Sequence, residues 1–417
     1  MEKQNYKIHI VGAGVSGLIA ATVLEQKGFS PIILEATERA GGRVKTDIIN
    51  GYQLDQGFQV LLTAYPAAQK YLNYKSLYLQ RFLPGAAIFK HTKQHVIGDP
   101  LRDISLIFST LFANIGTVAD KLKVLRLNTK LKNKSLSDIF ETKEQSTLSY
   151  LTDFGFSADM INDFFKPFFG GIFLEDQLET SSRMFEFVYK MFGEGDAAVP
   201  KGGMEEIPKQ LVRQLQNTSI NYNTAVASIS EKEILLTNGT KIESDFTIVA
   251  TEPSQLIRNL KNQATEWHSC DTLYFETENR KINKKLIGLL PETDSLINNI
   301  FYPTSLETMV SGGKELLSVK VVNNKGVTGK ELVKSVQKEL SEYFGITPCT
   351  FIKHYHIPIS LPNLSQLQYE VPPSETRLTE TIYLAGDVQL NGSLNAAMLA
   401  GESAAHGVLE NLEGLFK

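Results

Sequence analysis

Tyr6-Lys7-Ile8-His9-Ile10-Val11-Gly12-Ala13-Gly14-Val15-Ser16-Gly17 is the stretch on which the fold turns. Its first six residues alternate in a β-like way and run directly into a GxGxxG spacing. An apolar helical stretch follows to about Lys27, Gly28 ends it, and Pro31-Ile32-Ile33-Leu34 reads as a second buried strand. In a βαβ unit of this kind Gly12 permits the turn, Gly14 lets backbone approach a pyrophosphate, and Gly17 lets the helix pack on the strand. The helix N-terminus then turns its amides toward the diphosphate. Glu35 ends the second strand, where a carboxylate accepts hydrogen bonds from ribose hydroxyls. An acid at this point disfavours NADP. A second, looser spelling at Gly193-Glu194-Gly195-Asp196-Ala197-Ala198 follows no β-like run and reads as a loop.

The rest of the composition narrows the class. The chain has 417 residues, enough for two or three domains on length alone. With 42 Lys+Arg against 46 Asp+Glu it lacks the basic excess of a nucleic-acid binder. Cys270 and Cys349 lie far apart with no CxxC, so neither a zinc ribbon nor a disulfide framework is expected, and a reducing cytoplasm suits the chain. The uncharged run Ile10–Leu24 has the look of a signal-peptide core, but its three glycines fit strand, turn and helix better. No apolar run reaches the ~18 residues of a membrane span. Ile104–Ala119 comes nearest and is broken by Asn114 and Gly116.

Beyond Glu35 the chain continues Ala36-Thr37-Glu38-Arg39-Ala40-Gly41-Gly42-Arg43. The glycine pair brings a second backbone segment toward the diphosphate, and Arg43 adds a charge-assisted contact. Near the other end, Thr381–Leu384 reads as a strand running into Ala385-Gly386-Asp387, and Asn391–Met398 opens an Ala-rich helix to about Leu412. Glutamate, short spacer, GGR and a distant Gly-Asp before a helix resemble the flavin amine oxidase superfamily, which includes monoamine oxidases, protoporphyrinogen oxidases and carotenoid desaturases. The resemblance spans both ends and implies FAD. It implies that Asp387 holds ribityl or diphosphate oxygens, that the amides near Leu394 and Asn395 face the flavin pyrimidine, and that the backbone of Val226 meets adenine. Ser16, Ala36, Gly57 and Gly386 complete the cofactor-binding set. Ile220–Val226 and Ile234–Gly239 resemble a hairpin, and Phe246–Thr251 a buried strand. The fold expected is α/β: a Rossmann-like FAD-binding domain (1–73, 200–251 and 377–417) with an interleaved α+β substrate domain (74–199 mainly helical, 252–376 mainly strands).

The segments between these motifs bear on function. Ten of the 23 Phe lie between Phe154 and Phe192, densest at Phe164–Phe173 around Gly170-Gly171. They read either as the lining of an apolar channel, which would make the substrate lipophilic, or as an aromatic core. Asp120–Lys134 carries six basic residues and one acid behind the apolar stretch Ile104–Ala119. It reads as a solvated helix face, or as a peripheral contact with an anionic membrane. Thr272–Thr277 and Leu316–Val322 read as strands of a sheet that would roof the flavin, and many amine oxidases carry a lysine on the first of these strands. Here Tyr274 or Phe275 stands nearby instead; Lys320 is the one candidate substitute, though on an alternating strand it is expected to face outward. Phe173, Tyr274, Tyr355 and His356 are the candidate substrate residues. His354 and His356 share a strand face, but no third ligand is spaced to join them, so no metal site is expected. These features favour an FAD-dependent oxidoreductase taking hydride from an apolar small molecule, desaturase- or porphyrinogen-oxidase-like. A true amine oxidase using O2 is the alternative, and a non-enzymatic lipid-binding escort of the same architecture is a second. Oligomeric state is left open.

Overall fold

The computed structural model describes residues 3–57, 59–90, 93–98 and 115–415. A five-stranded parallel sheet carries the strand order Ser219–Asn221, Ile32–Leu34, Ile8–Val11, Phe246–Val249, Ile382–Leu384. Its two central strands, Ile8–Val11 and Phe246–Val249, are buried at every position. That is the pattern of a parallel sheet covered on both faces, and it overrides the alternation read from Tyr6–Val11. Even His9 is enclosed. Its Nδ1 lies 2.9 Å from Ser244 Oγ, and burial lowers its pKa to about 4, so the ring is neutral.

The helix Val15–Gln26 begins directly after Gly14 and is buried from Val15 to Leu24. Gly28, at φ +86°, turns the chain back toward Ile32–Leu34. A Cβ on Gly17 would strike the Gly12 carbonyl and come within 3.2 Å of Ile10, so only glycine permits this helix–strand contact. The helix Leu394–Leu415 packs along Val15–Gln26, and Gly401 rests on the Ser16 backbone. The hairpin forms between Val226–Ser230 and Glu233–Leu236, with Lys241–Glu243 as a third strand. Ile220 and Asn221 do not join it. They continue the parallel sheet instead, because Asn221 caps the end of Ile32–Leu34 through the Glu35 N–H, a 2.9 Å bond.

A second, mixed sheet of seven strands runs Cys349–Asn363, Glu266–Thr277, Glu315–Val321, Ile297–Phe301, Ile287–Leu289, Gly85–Lys90, Lys93–Gly98. The largely helical stretch before residue 200 thus lends two strands to this sheet. The later strand-rich stretch carries the helix Gly329–Phe344, whose Leu332, Val336, Leu340 and Phe344 recur every four residues on its buried face. That face covers Leu273, Phe275, Leu317 and Val319, and so fixes which side of the sheet is the outer one. The architecture is α/β, a Rossmann-like parallel layer with an interleaved α+β region.

Candidate active site

The carboxyl ends of the parallel strands converge on one crevice, the usual place for a ligand in an open parallel sheet. Glu35 is buried and held from two sides. Oε2 accepts from the Ala13 N–H at 2.7 Å, and Oε1 from Thr37 N at 2.9 Å and Thr37 Oγ1 at 2.7 Å. Gly14 and Gly41 form a parallel bridge, and a Cβ on Gly14 would meet no atom within 4 Å. Backbone is thus presented to the crevice with nothing in front of it. From the far end of the chain, Gly386 N–H donates to Ser16 Oγ at 3.0 Å. Arg43 pairs with Asp387, donates to the Ser360 carbonyl at 3.3 Å and lies 5.0 Å over the Trp267 ring. The donor set suits a dinucleotide: a positioned carboxylate, backbone bordering the cavity at the start of a twelve-residue helix, and an arginine held at the crevice mouth.

One cavity of about 1330 Å³ begins at this crevice. That exceeds the roughly 300–1,000 Å³ of a pocket for one small ligand. Of the expected cofactor residues, Gly12, Gly14, Ser16, Glu35, Gly41, Gly42, Arg43, Gly57, Gly386, Asp387 and Leu394 border it. Gly17, Ala36, Val226 and Asn395 are not among its lining residues. Asn395 is fully buried and accepts from Ala67 N–H at 3.0 Å, so it braces the helix Pro66–Tyr71. Asp387 and Arg43, each expected to reach cofactor oxygens, here hold one another.

Of the four candidate substrate residues only Phe173 borders the cavity. Tyr274 and Tyr355 turn toward the hairpin Thr46–Asp55 instead. The Tyr274 hydroxyl donates to the Asp55 carbonyl and the Tyr355 hydroxyl to Asp47 Oδ2, both at 2.7 Å. His356 lies on the outer side, where its Nδ1 and His354 Nε2 sit 3.0 and 2.6 Å from Asp271 Oδ1. Register explains the cluster: Asp271 stands opposite His356, one strand over. The phenylalanines fall into two groups. Phe165, Phe185 and Phe187 are core, whereas Phe164, Phe168 and Phe192 are half-buried and line the cavity.

Lys320 overturns its expectation. Period-two alternation gave its parity correctly but not the face, and it is buried, opposite Thr272 and Asn299, bordering the cavity. Trp267, Cys270 and Asn299 also line the cavity. No local signal marked them, because their side chains meet only when three strands pair.

The chain is 24% identical over 265 residues to protoporphyrinogen oxidase 2 of Arabidopsis thaliana, covering 54% of this chain and 50% of that protein. It is 27% identical over 284 residues to an L-amino-acid oxidase of Bothrops moojeni, covering 61% and 54%. The alignments therefore span about half the length of these relatives. Among solved structures, an oxidoreductase from Methanosarcina mazei superposes with a TM-score of 0.72 at 16% identity, over 97% of this chain and 100% of that one. Cyclohexylamine oxidase from Brevibacterium oxydans gives 0.71 at 14%, over 98% and 99%. These establish the fold. The sequence profile of the flavin-containing amine oxidoreductases matches from residue 15 to residue 409, and the chain belongs to that family.

Proposed function

We propose that the protein is an FAD-dependent oxidoreductase acting on a lipophilic small molecule. The observation that carries this reading is the continuous cavity, which joins the Gly14–Glu35–Asp387 crevice to a wall of Phe164, Phe168, Phe169 and Phe173. When bound, FAD supplies a two-electron acceptor for hydride from the substrate. In this reading Glu35 accepts from ribose, the Gly14 and Gly42 backbone takes the diphosphate, and the phenylalanines hold an apolar substrate and exclude water. Segments 1–73, 200–251 and 377–417 form the cofactor unit, with 74–199 and 252–376 as the substrate unit.

Desaturase- or porphyrinogen-oxidase-like chemistry is the favoured subclass, and the aligned protoporphyrinogen oxidase supports it. Amine oxidation is the second reading, supported by the aligned L-amino-acid oxidase and by a lysine inside the cavity after all. Anaerobic flavin bleaching against porphyrinogens, polyenes and amines separates them. Bleaching by amines alone would reverse the preference, and a colourless protein that takes up no FAD would end both.

The entry side belongs to the same proposal. Val118, Leu122 and Leu125 on the helix Val118–Lys132 are 76%, 62% and 42% exposed and border the cavity, with Lys121 and Arg126 on the same helix. An anionic lipid surface matches both the apolar stripe and the basic flank. Most of the preceding Ile104–Ala119 stretch lies outside the described residues. No helix among the described residues is long and apolar enough to cross a membrane.

A further inference from the structure

Seven tyrosines are buried among the described residues, and six of their hydroxyls have a protein partner. Tyr52, Tyr71 and Tyr274 donate to Glu276, Glu402 and the Asp55 carbonyl. Tyr150, Tyr302 and Tyr383 accept from Lys130, the Lys281 N–H and Asn411. Tyr65 is the exception: it is 7% exposed, and its hydroxyl has no hydrogen-bond partner among the described residues. It is also the one of the seven that borders the cavity.

Backbone and packing fix the ring at that wall. Tyr65 stands directly before Pro66 at the start of the helix Pro66–Tyr71, and its N–H donates to the Leu62 carbonyl at 3.0 Å. Asn395 braces the same helix by accepting from the Ala67 N–H. The ring stacks on Phe187, with centroids 5.7 Å apart and planes 12° from parallel, and Phe187 is fully buried. Leu62, Val188 beside Phe187 and Leu394 beside Asn395 all border the cavity. The elements that hold the ring thus also present apolar side chains there.

A buried hydroxyl without a partner is unfavourable, and such groups are almost always hydrogen-bonded. The packing of Tyr65 does not require its oxygen, since a phenylalanine ring would stack on Phe187 as well. Burial holds the Tyr65 pKa well above the ordinary tyrosine value, so the phenol keeps its proton as a hydrogen-bond donor. We infer that the Tyr65 hydroxyl is a specificity-determining donor to one uncharged acceptor oxygen, a carbonyl or hydroxyl, on an otherwise apolar substrate. The hydrocarbon part of that substrate lies on the phenylalanine wall. A pure hydrocarbon leaves Tyr65 unpaired and is disfavoured by the site. This rests on the reading of the cavity as a substrate chamber.

Equilibrium dialysis of the holoprotein against 4-phenyl-2-butanone and against butylbenzene tests it. Tyr65→Phe should weaken ketone binding about three- to tenfold and leave butylbenzene binding unchanged. Its melting temperature should not fall, because no protein partner is lost. Tyr274→Phe, which gives up the Asp55 carbonyl, should lower the melting temperature and serves as the contrast. Ketone affinity that survives Tyr65→Phe, an equal loss for both ligands, or no ketone binding to the wild type would overturn the inference. A drop in the Tyr65→Phe melting temperature would give the hydroxyl to a structural partner, and loss of FAD would give it to the cofactor; either overturns it too. Flavin content of the wild-type sample is read from its absorbance, so failure of the FAD reading and failure of the Tyr65 contact are distinguishable.

Discussion

Glu35 bears the most direct test at the scale of one residue. Its carboxylate accepts from both Ala13 and Thr37, so Glu35→Gln keeps the size, removes the charge and gives up one of these two acceptors. Charge-assisted hydrogen bonds are worth about 1.5–3 kcal/mol. FAD affinity should therefore fall about 10- to 100-fold on Glu35→Gln, measured by flavin retention through dialysis; unchanged retention would remove the ribose role. Asp55 supplies a pH test. Burial, partly countered by Thr46 and Met204 and reinforced by Glu205, raises its pKa from 3.8 to about 6. The folded state thus holds an extra proton between about pH 4 and 6, and Asp55's contribution to stability falls as pH rises through that window. Asp55→Asn should flatten the melting temperature across the same range, and an unaltered slope would contradict the assignment. The residues that line the crevice were readable because glycines, Glu35 and the Gly-Asp pair declare backbone needs within a few positions. Lys320 was not, since alternation cannot say which face of a strand is covered until the helix Gly329–Phe344 is placed.

At the scale of elements, the phenylalanine-rich stretch separates into two populations with different consequences. Phe165 is fully buried away from the cavity, packed edge-on against Phe156 at 4.8 Å. Phe165→Ala should cost about 3–5 kcal/mol in denaturant unfolding. Phe168 is half-buried and cavity-lining, so Phe168→Ala should cost clearly less stability yet weaken binding of apolar ligands. Equal stability losses would mean that both belong to the core. Elements closed by local contacts, such as the βαβ unit, could be read from the chain. The hairpin was misjudged by one strand because Ile220 is as β-prone as Val226, and only sheet pairing assigns them to different sheets. Tyr274 and Tyr355 went astray for a similar reason: the hairpin Thr46–Asp55 that captures their hydroxyls lies more than 200 residues away in sequence.

For the whole molecule, the exposed stripe on Val118–Lys132 beside the cavity predicts behaviour on lipid. The protein should co-sediment with phosphatidylserine-containing vesicles and less with neutral ones. Leu122→Asp should reduce this binding several-fold without loss of melting temperature. Binding unaffected by Leu122→Asp would locate any lipid contact elsewhere.

The five-stranded sheet has a temporal side as well. Its neighbours come from residues 8–11, 32–34, 219–221, 246–249 and 382–384, and the Arg43–Asp387 pair joins positions 344 apart. During translation at about 5–20 residues per second, the glycine-rich loops are synthesised roughly 17–70 s before Asp387. Through that interval the nascent chain has the front of the crevice and no back. A complete crevice therefore awaits the segment that carries Asp387, and a parallel edge at Phe246–Val249 waits for Ile382–Leu384 in the meantime.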